Sequence, residues 1–206
     1  MNRFEFMPTP LAGLTVIQRS QYDDARGSFS RLFCAEDLVH AGWQKQIAHI
    51  NHSHTNQRGT VRGMHFQYPP HAEMKLVMCV AGEIMDVAID VRTGSPTFLH
   101  WHGERLSSRN HRALLIPEGF AHGFQALSDN VEVLYFTSEV YVPEAEGWIS
   151  AVDERIGIDW PLKVIGLSKR DSGLARLDEN FKGVTCEASL LSQSVCNDYP
   201  RILKTT

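Results

Sequence analysis

Two short stretches carry most of the side chains able to do acid–base chemistry. The run Gly59-Thr60-Val61-Arg62-Gly63-Met64-His65-Phe66-Gln67 brings a guanidinium, an imidazole and an amide to the end of an apolar segment, and Lys75 follows the Tyr68-Pro69-Pro70 break. The run Ile116-Pro117-Glu118-Gly119-Phe120-Ala121-His122 makes a tight turn and then presents a second imidazole. Histidine is the side chain that changes charge near neutral pH, so it serves as general acid or base or, when neutral, as a metal ligand; the chain has 10 of them. Under strict alternation His65 and Gln67 share one strand face, and Arg62 joins them only if Gly63 carries a bulge. Tyr135 falls on the face of Val131 and Val133 and is expected to point inward.

Each of these residues also has a structural reading. His65 fits a core histidine bonded to a carbonyl, and Asn51, Gln67 and His122 fit polar groups satisfied by nearby backbone. Lys75 at a strand start fits a solvated end, and Tyr135 a packed ring with a satisfied hydroxyl. Arg26 beside Gly27 fits a surface turn, Arg62 a sheet-edge charge, and Tyr141 before Val142-Pro143 a rim aromatic. Ser168-Lys169-Arg170-Asp171 is close to a capping box.

A chain of 206 residues, 43% hydrophobic and 21% charged, must hold these groups; the composition is that of a soluble globular protein, and the length buries a core without metal or disulfide. A net charge of −4 argues against a nucleic-acid partner, yet a few converging arginines suffice for an anionic small molecule. Cys34, Cys79, Cys186 and Cys196 form no C-x-x-C pair and read as reduced thiols of a cytoplasmic protein. Residues 1–10 contain no apolar leader segment, and nowhere do about 18 apolar residues run together, so no membrane span is expected.

Residues 83–91 are the clearest strand. Met85, Val87, Ile89 and Val91 alternate with Asp86, Ala88 and Asp90, the pattern of a strand with one buried face. Residues 75–80 form its neighbour through an Ala81-Gly82 turn. Further strands are predicted at 15–18, 29–33, 46–53, 61–66, 98–106, 114–116, 123–127 and 131–137. Helix is confined to 35–41, stopped by Gly42, and to a start near Ser168. Many closely spaced short strands predict a mainly β double-sheet jelly roll with a few short helices. That domain spans residues 1–177, and the weakly patterned residues 178–206 read as a C-terminal extension, packed on the surface or mobile.

An ordered set of motifs resembles the dTDP-4-dehydrorhamnose 3,5-epimerase family of the cupin superfamily. It comprises Asp24-Ala25-Arg26-Gly27-Ser28-Phe29, Asn51-His52-Ser53, Arg62-Gly63-Met64-His65-Phe66-Gln67, Lys75-Leu76-Val77 and Asp86-Val87-Ala88-Ile89-Asp90. Ser95-Pro96-Thr97-Phe98, Ile116 through Phe124, Leu134-Tyr135 and Ser168-Lys169-Arg170-Asp171 follow in family order. The resemblance implies a cupin-type jelly roll and an isomerase acting on a nucleotide-linked 4-keto-6-deoxyhexose in deoxysugar biosynthesis. It implies His65 as general base, Lys75 as partner of the enolate oxygen, Tyr135 as acid and Asp171 as the carboxylate that orients His65. Arg26 and Arg62 would grip the diphosphate, Tyr141 would stack on the base, and Asn51, Gln67 and His122 would line the sugar pocket. A homodimer with an exchanged N-terminal strand region is implied, so that Arg26 serves the neighbouring site. Two positions depart from the family pattern, His49 in place of a glutamine and Arg31 in place of an acid. Both bear on the sugar and nucleotide accepted and on whether C3, C5 or both are inverted.

Metal-binding cupins carry H-x-H, a glutamate and a later histidine. Here His65, Glu73 and His122 stand in register, but Gln67 replaces the second histidine and Lys75 adds a cation. Neither metal nor other cofactor is therefore expected. A metal-dependent cupin enzyme and a sugar-binding protein without turnover remain the alternative classes.

Overall fold

The computed structural model describes residues 3–186. Among these residues, thirteen strands form two facing antiparallel sheets and a separate hairpin. The six-stranded sheet runs β1 (Phe4–Pro8), β2 (Thr15–Arg19), β10 (Arg112–Ile116), β7 (Lys75–Ala81), β12 (Val131–Thr137), β5 (His49–Thr55). The five-stranded sheet runs β13 (Glu146–Trp148), β6 (Val61–Gln67), β11 (Phe120–Ala126), β8 (Glu83–Asp90), β9 (Trp101–Ser107). Among the described residues, strands β3 (Gln21–Asp24) and β4 (Gly27–Ser30) pair only with each other. The helices are one turn long, α1 (Ala35–Leu38) and α2 (Lys169–Ser172). Among the described residues no helix is long and apolar enough to cross a membrane.

Alternate side chains of the two sheets meet in the interior: Val16, Val77, Leu114 and Val133 from one, Ile84, Ala88, Leu106 and Phe124 from the other. Burying such side chains contributes about 1.5–3 kcal/mol each relative to leaving them in water. Both outer faces are covered as well. Leu38 and Trp43 pack on Leu76, Met78, Ala113 and Leu115. The chain after β13 lays Ile149, Ala151, Ile156 and Val184 over Val61, Met64, Val87 and Ile89.

That double cover corrects the expectation of a strand with one buried face at β8. Val87, Ile89 and Val91 do pack in a core, but it is the outer one, beneath the C-terminal segment. Asp86, Ala88 and Asp90 point between the sheets, and both carboxylates are fully buried. Alternation reports the polarity of each face; it does not say which face meets solvent. Burial of a carboxylate is tolerable only with partners. Asp90 accepts from Arg92 Nε at 2.9 Å, Ser95 Oγ at 2.6 Å and Thr97 Oγ1 at 2.7 Å, which closes the loop after β8.

The predicted helix at 35–41 is α1 followed by a 3-10 turn, Val39–Ala41, ended by Gly42 in the left-handed region at φ 99°. There an L side chain is strained and glycine is not. The predicted strand at 29–33 instead ends at Ser30, because β4 has only β3 to pair with. β1, β3 and β13 are short strands without a counterpart in the sequence reading. Beyond residue 177, Phe181 stacks near Phe98 at 6.1 Å and Val184 is buried beside Val91. Cys196 and the remainder of the predicted extension lie outside the described residues.

Candidate active site

A cavity of about 520 Å³ opens between the sheets at the end where β5, β6, β7, β11 and β12 meet. On the six-stranded side His49, Thr137 and Lys75 lie in one cross-strand row, and Asn51 and Tyr135 in the next. On the five-stranded side His65 and His122 are direct cross-strand partners, with Gln67 further along β6. Arg62 also lines the cavity. It does so because β6 carries one extra residue between Arg62 and His65 relative to β11, where Phe124 and His122 are their partners. The bulge falls at Gly63, the condition attached to Arg62 in the sequence reading. Gly63 has φ 122°, and a Cβ there would sit 2.5 Å from the Gly123 Cα, so only glycine fits both the conformation and the contact.

His65 Nε2 lies 3.0 Å from Asp171 Oδ1, across 106 residues of sequence. α2 delivers that carboxylate. The Ser168 hydroxyl accepts from the Asp171 backbone N–H at 3.0 Å and donates to Asp171 Oδ2 at 2.8 Å, so Asp171 has both the helix-start role and a contact with the imidazole. Burial alone would raise the Asp171 pKa, but the bonds from His65 and Ser168 outweigh it and hold it below the usual range. Burial lowers the His65 pKa, with Asp171 opposing and the Arg170 cation assisting. The pair therefore rests as carboxylate and neutral imidazole, with Nε2–H donating to Asp171 and the Nδ1 lone pair free.

Arg170 reaches the same ring nitrogen at 3.2 Å. Its guanidinium is held by Glu146 Oε2 at 3.0 Å and lies over the Trp148 ring at 5.4 Å. A guanidinium only donates, so beside a protonated Nε2 it acts as a packed cation.

A second imidazole–carboxylate pair stands deeper. His122 Nε2 is 2.8 Å from Asp86 Oδ1, with only 5% of the histidine side chain and none of the aspartate exposed. Burial raises the Asp86 pKa against the pull of His122. The His122 ring meets the Tyr135 ring edge-on at 6.0 Å. The Tyr135 hydroxyl lies 3.0 Å from Ser53 Oγ, and burial drives its pKa well above that of free tyrosine, so it is a neutral hydroxyl at physiological pH. Lys75 Nζ lies 3.2 Å from Glu73 Oε1 and 3.5 Å from the His65 carbonyl oxygen.

Of the ten residues singled out in the sequence, His65, Lys75, Tyr135, Asn51, Arg62, Gln67, His122 and Tyr141 line this cavity, and Asp171 touches it through His65. Arg26 does not. It sits in the β3–β4 turn with 90% of its side chain exposed, paired to Asp24 at 2.6 Å. Gln67 is committed to backbone: its amide donates to His71 O and Val140 O and accepts from the Val142 N–H. Of the two departures from the family pattern, His49 lines the cavity and Arg31 is absent from its lining. Among the described residues no three His, Cys, Asp or Glu side chains converge as a metal-ligand set. Outside this cavity, His102 has its Nε2 buried 3.7 Å from Glu104 Oε2, with 23% of the side chain exposed.

Sequence reasoning gave no role to Ser53, Glu146 or Arg170, and considered Glu73 only as a metal ligand. Ser53 shares a strand face with Asn51, a signal available from alternation. Glu146 and Arg170 carry no such signal, because their positions depend on the folding-back of distant segments.

The fold is a double-sheet roll of the cupin type, with two imidazoles, an ammonium and a neutral phenol facing one cavity. The dTDP-4-dehydrorhamnose 3,5-epimerase family model matches residues 8–179. The dTDP-4-dehydrorhamnose 3,5-epimerase of Methanothermobacter thermautotrophicus is 42% identical over 183 residues, 87% of this chain and 98% of its own length. The crystal structure of dTDP-6-deoxy-D-glucose-3,5-epimerase from Legionella pneumophila, in complex with dTDP-4-keto-L-rhamnose, matches with a TM-score of 0.83 and 36% identity, covering 90% of this chain and 100% of that one. A 3'-monoepimerase from Streptomyces bikiniensis in complex with dTDP-quinovose matches with a TM-score of 0.77 and 29% identity, covering 82% and 86%. This chain belongs to the dTDP-4-dehydrorhamnose 3,5-epimerase family and is an enzyme of the epimerase class.

Proposed function

We propose that the enzyme inverts C3 and C5 of a dTDP-linked 4-keto-6-deoxyhexose by deprotonation and reprotonation beside the ketone. The observation that carries this reading is that His65 and Tyr135 belong to opposite sheets and face one cavity, with Lys75 on its wall. A C4 ketone acidifies the hydrogens on C3 and C5. Neutral His65 takes one of them as general base, and the C–H electron pair moves into an enolate whose charge rests on O4. The Lys75 ammonium stabilises that oxygen. Tyr135 then gives its hydroxyl proton to the opposite face of the same carbon, leaving an inverted centre; proton exchange with water resets both side chains. Asp171 keeps His65 in the tautomer that leaves one nitrogen basic.

In this reading Asn51, Gln67 and His122 line the sugar, Arg62 binds the diphosphate and Tyr141 stacks on the base. Arg26 joins Arg62 in a homodimer whose β3–β4 hairpin reaches the neighbouring cavity. The exposure of Phe29 (67%) and Tyr22 (42%) on that hairpin supports such a contact.

Incubation with dTDP-4-keto-6-deoxyglucose in heavy water, followed by proton NMR, tests the reaction. Deuterium at C3 and C5 with inversion at both is expected. Exchange and inversion at C3 alone would assign the narrower activity that the 3'-monoepimerase relative carries, and no exchange at either carbon would remove the proposal.

A further inference from the structure

Glu73 is a carboxylate inside the cavity that the reaction outlined above leaves unused. It stands two residues before Lys75 and contacts its ammonium at 3.2 Å, with 12% of each side chain exposed. The same ammonium also donates to the backbone oxygen of His65 at 3.5 Å. Lysine is a long, rotatable side chain, and freezing it costs rotamer entropy. Here two tethers, one from the segment just before β7 and one from β6, meet that cost in the folded state, before any ligand arrives. One tether is the peptide oxygen of the residue carrying the basic imidazole, so the ammonium is referenced to His65 itself. With two contacts occupied, the third N–H is left for the cavity.

We propose that Glu73 is a positioning residue that holds the Lys75 ammonium in place for the enolate oxygen. This rests on the proposed reaction for its catalytic meaning, while the tethering itself is a property of the resting enzyme. Preorganised donors act on the transition state because they need not reorient as charge develops. Loss of Glu73 therefore lowers kcat and leaves KM largely alone.

The test compares Glu73→Ala, Glu73→Gln, Lys75→Ala and the Glu73→Ala/Lys75→Ala double variant in C3 and C5 deuterium exchange. Nitrogen-15 NMR of the lysine ammonium groups is run in parallel without substrate. Glu73→Ala should lose about 10- to 100-fold in kcat, the scale of a displaced electrostatic donor, with KM changed by less than about threefold. Glu73→Gln keeps an oxygen at the same reach and should recover most of that loss. The double variant should be no slower than Lys75→Ala, because residues acting as one unit are non-additive. The resolved Lys75 ammonium signal should broaden in Glu73→Ala and return in Glu73→Gln. Wild-type kcat in Glu73→Ala, a loss seen only in KM, or full additivity with Lys75→Ala would overturn the role. An unchanged ammonium signal in Glu73→Ala would overturn the tethering whatever the activity. Absence of exchange in the wild type with an ammonium signal still sensitive to Glu73 would sink the reaction and spare the tether.

Discussion

The two imidazole–carboxylate pairs that face the cavity are chemically alike and structurally opposite. His122 and Asp86 sit on neighbouring strands of one sheet, sealed between the layers, with 5% and 0% of their side chains exposed. His65 draws its carboxylate from a segment more than a hundred residues away, keeps 27% of its side chain exposed, and has a cation against the same ring nitrogen. Burial lowers the pKa of His65, and in the proposed reaction it is His65 that stands where a substrate carbon can approach and the proton can leave for water. The difference teaches that an imidazole–carboxylate pair is not in itself a catalytic unit. What surrounds it decides between a general base and a satisfied polar element of the wall.

The largest expected effect sharpens that contrast. His65→Ala should reduce solvent exchange at C3 and C5 by up to about 10⁴-fold, the upper range for losing a general base, with the urea midpoint close to that of the wild type. His122→Ala should do the reverse in emphasis. It leaves the buried Asp86 carboxyl without its hydrogen-bond partner, which costs about 1–3 kcal/mol, read as a lower urea midpoint. If His122→Ala proved as stable as the wild type while abolishing exchange, the assignment of the two pairs would have to be exchanged.

Tyr135→Phe separates proton removal from proton return. Deuterium should still enter, while net inversion falls by about 100-fold, the scale of a missing general acid. Full epimerisation by this variant would free Tyr135 of the acid role. Asp171→Asn should cost about 10- to 100-fold at its optimum, being an orienting group for the base, a range within that for general acid–base contributions.

The smallest effects lie in the pH profile. The proposed reaction needs neutral His65, so activity is expected to fall as pH drops through its pKa, which burial sets below the usual histidine value of about 6.5. Asp171 favours the charged ring and Arg170 disfavours it. Asp171→Asn should therefore move the acid limb of kcat/KM to lower pH, and Arg170→Gln should move it to higher pH. Limbs that stay fixed in both variants would mean that the titration seen is not that of His65.

Much of the frame was legible from local pattern. Tyr135 points inward as its alternation with Val131 and Val133 requires, Gly42 ends the first helix, and Ser168 begins the second. These depend on the chirality and hydrogen-bonding needs of a few adjacent residues, which travel with the sequence. The family motifs carried most of the cavity lining by the same route, since strands deliver every second side chain to one face. Arg62 was legible only conditionally, because alternation alone sends it to the opposite face and the bulge depends on Gly123 across the sheet.

What the tertiary structure alone decided is what each face meets. The carboxylates of β8 lie inside because the C-terminal segment supplies the cover that leaves its apolar face outermost but dry. The Glu73 contact with Lys75, the clasp of Arg170 between Glu146, Trp148 and His65, and the exclusion of Arg26 from its own chain's cavity are likewise unreadable from spacing. Side-chain periodicity is local, whereas burial, pairing and the shift of a pKa are set by whichever distant segment packs against the group.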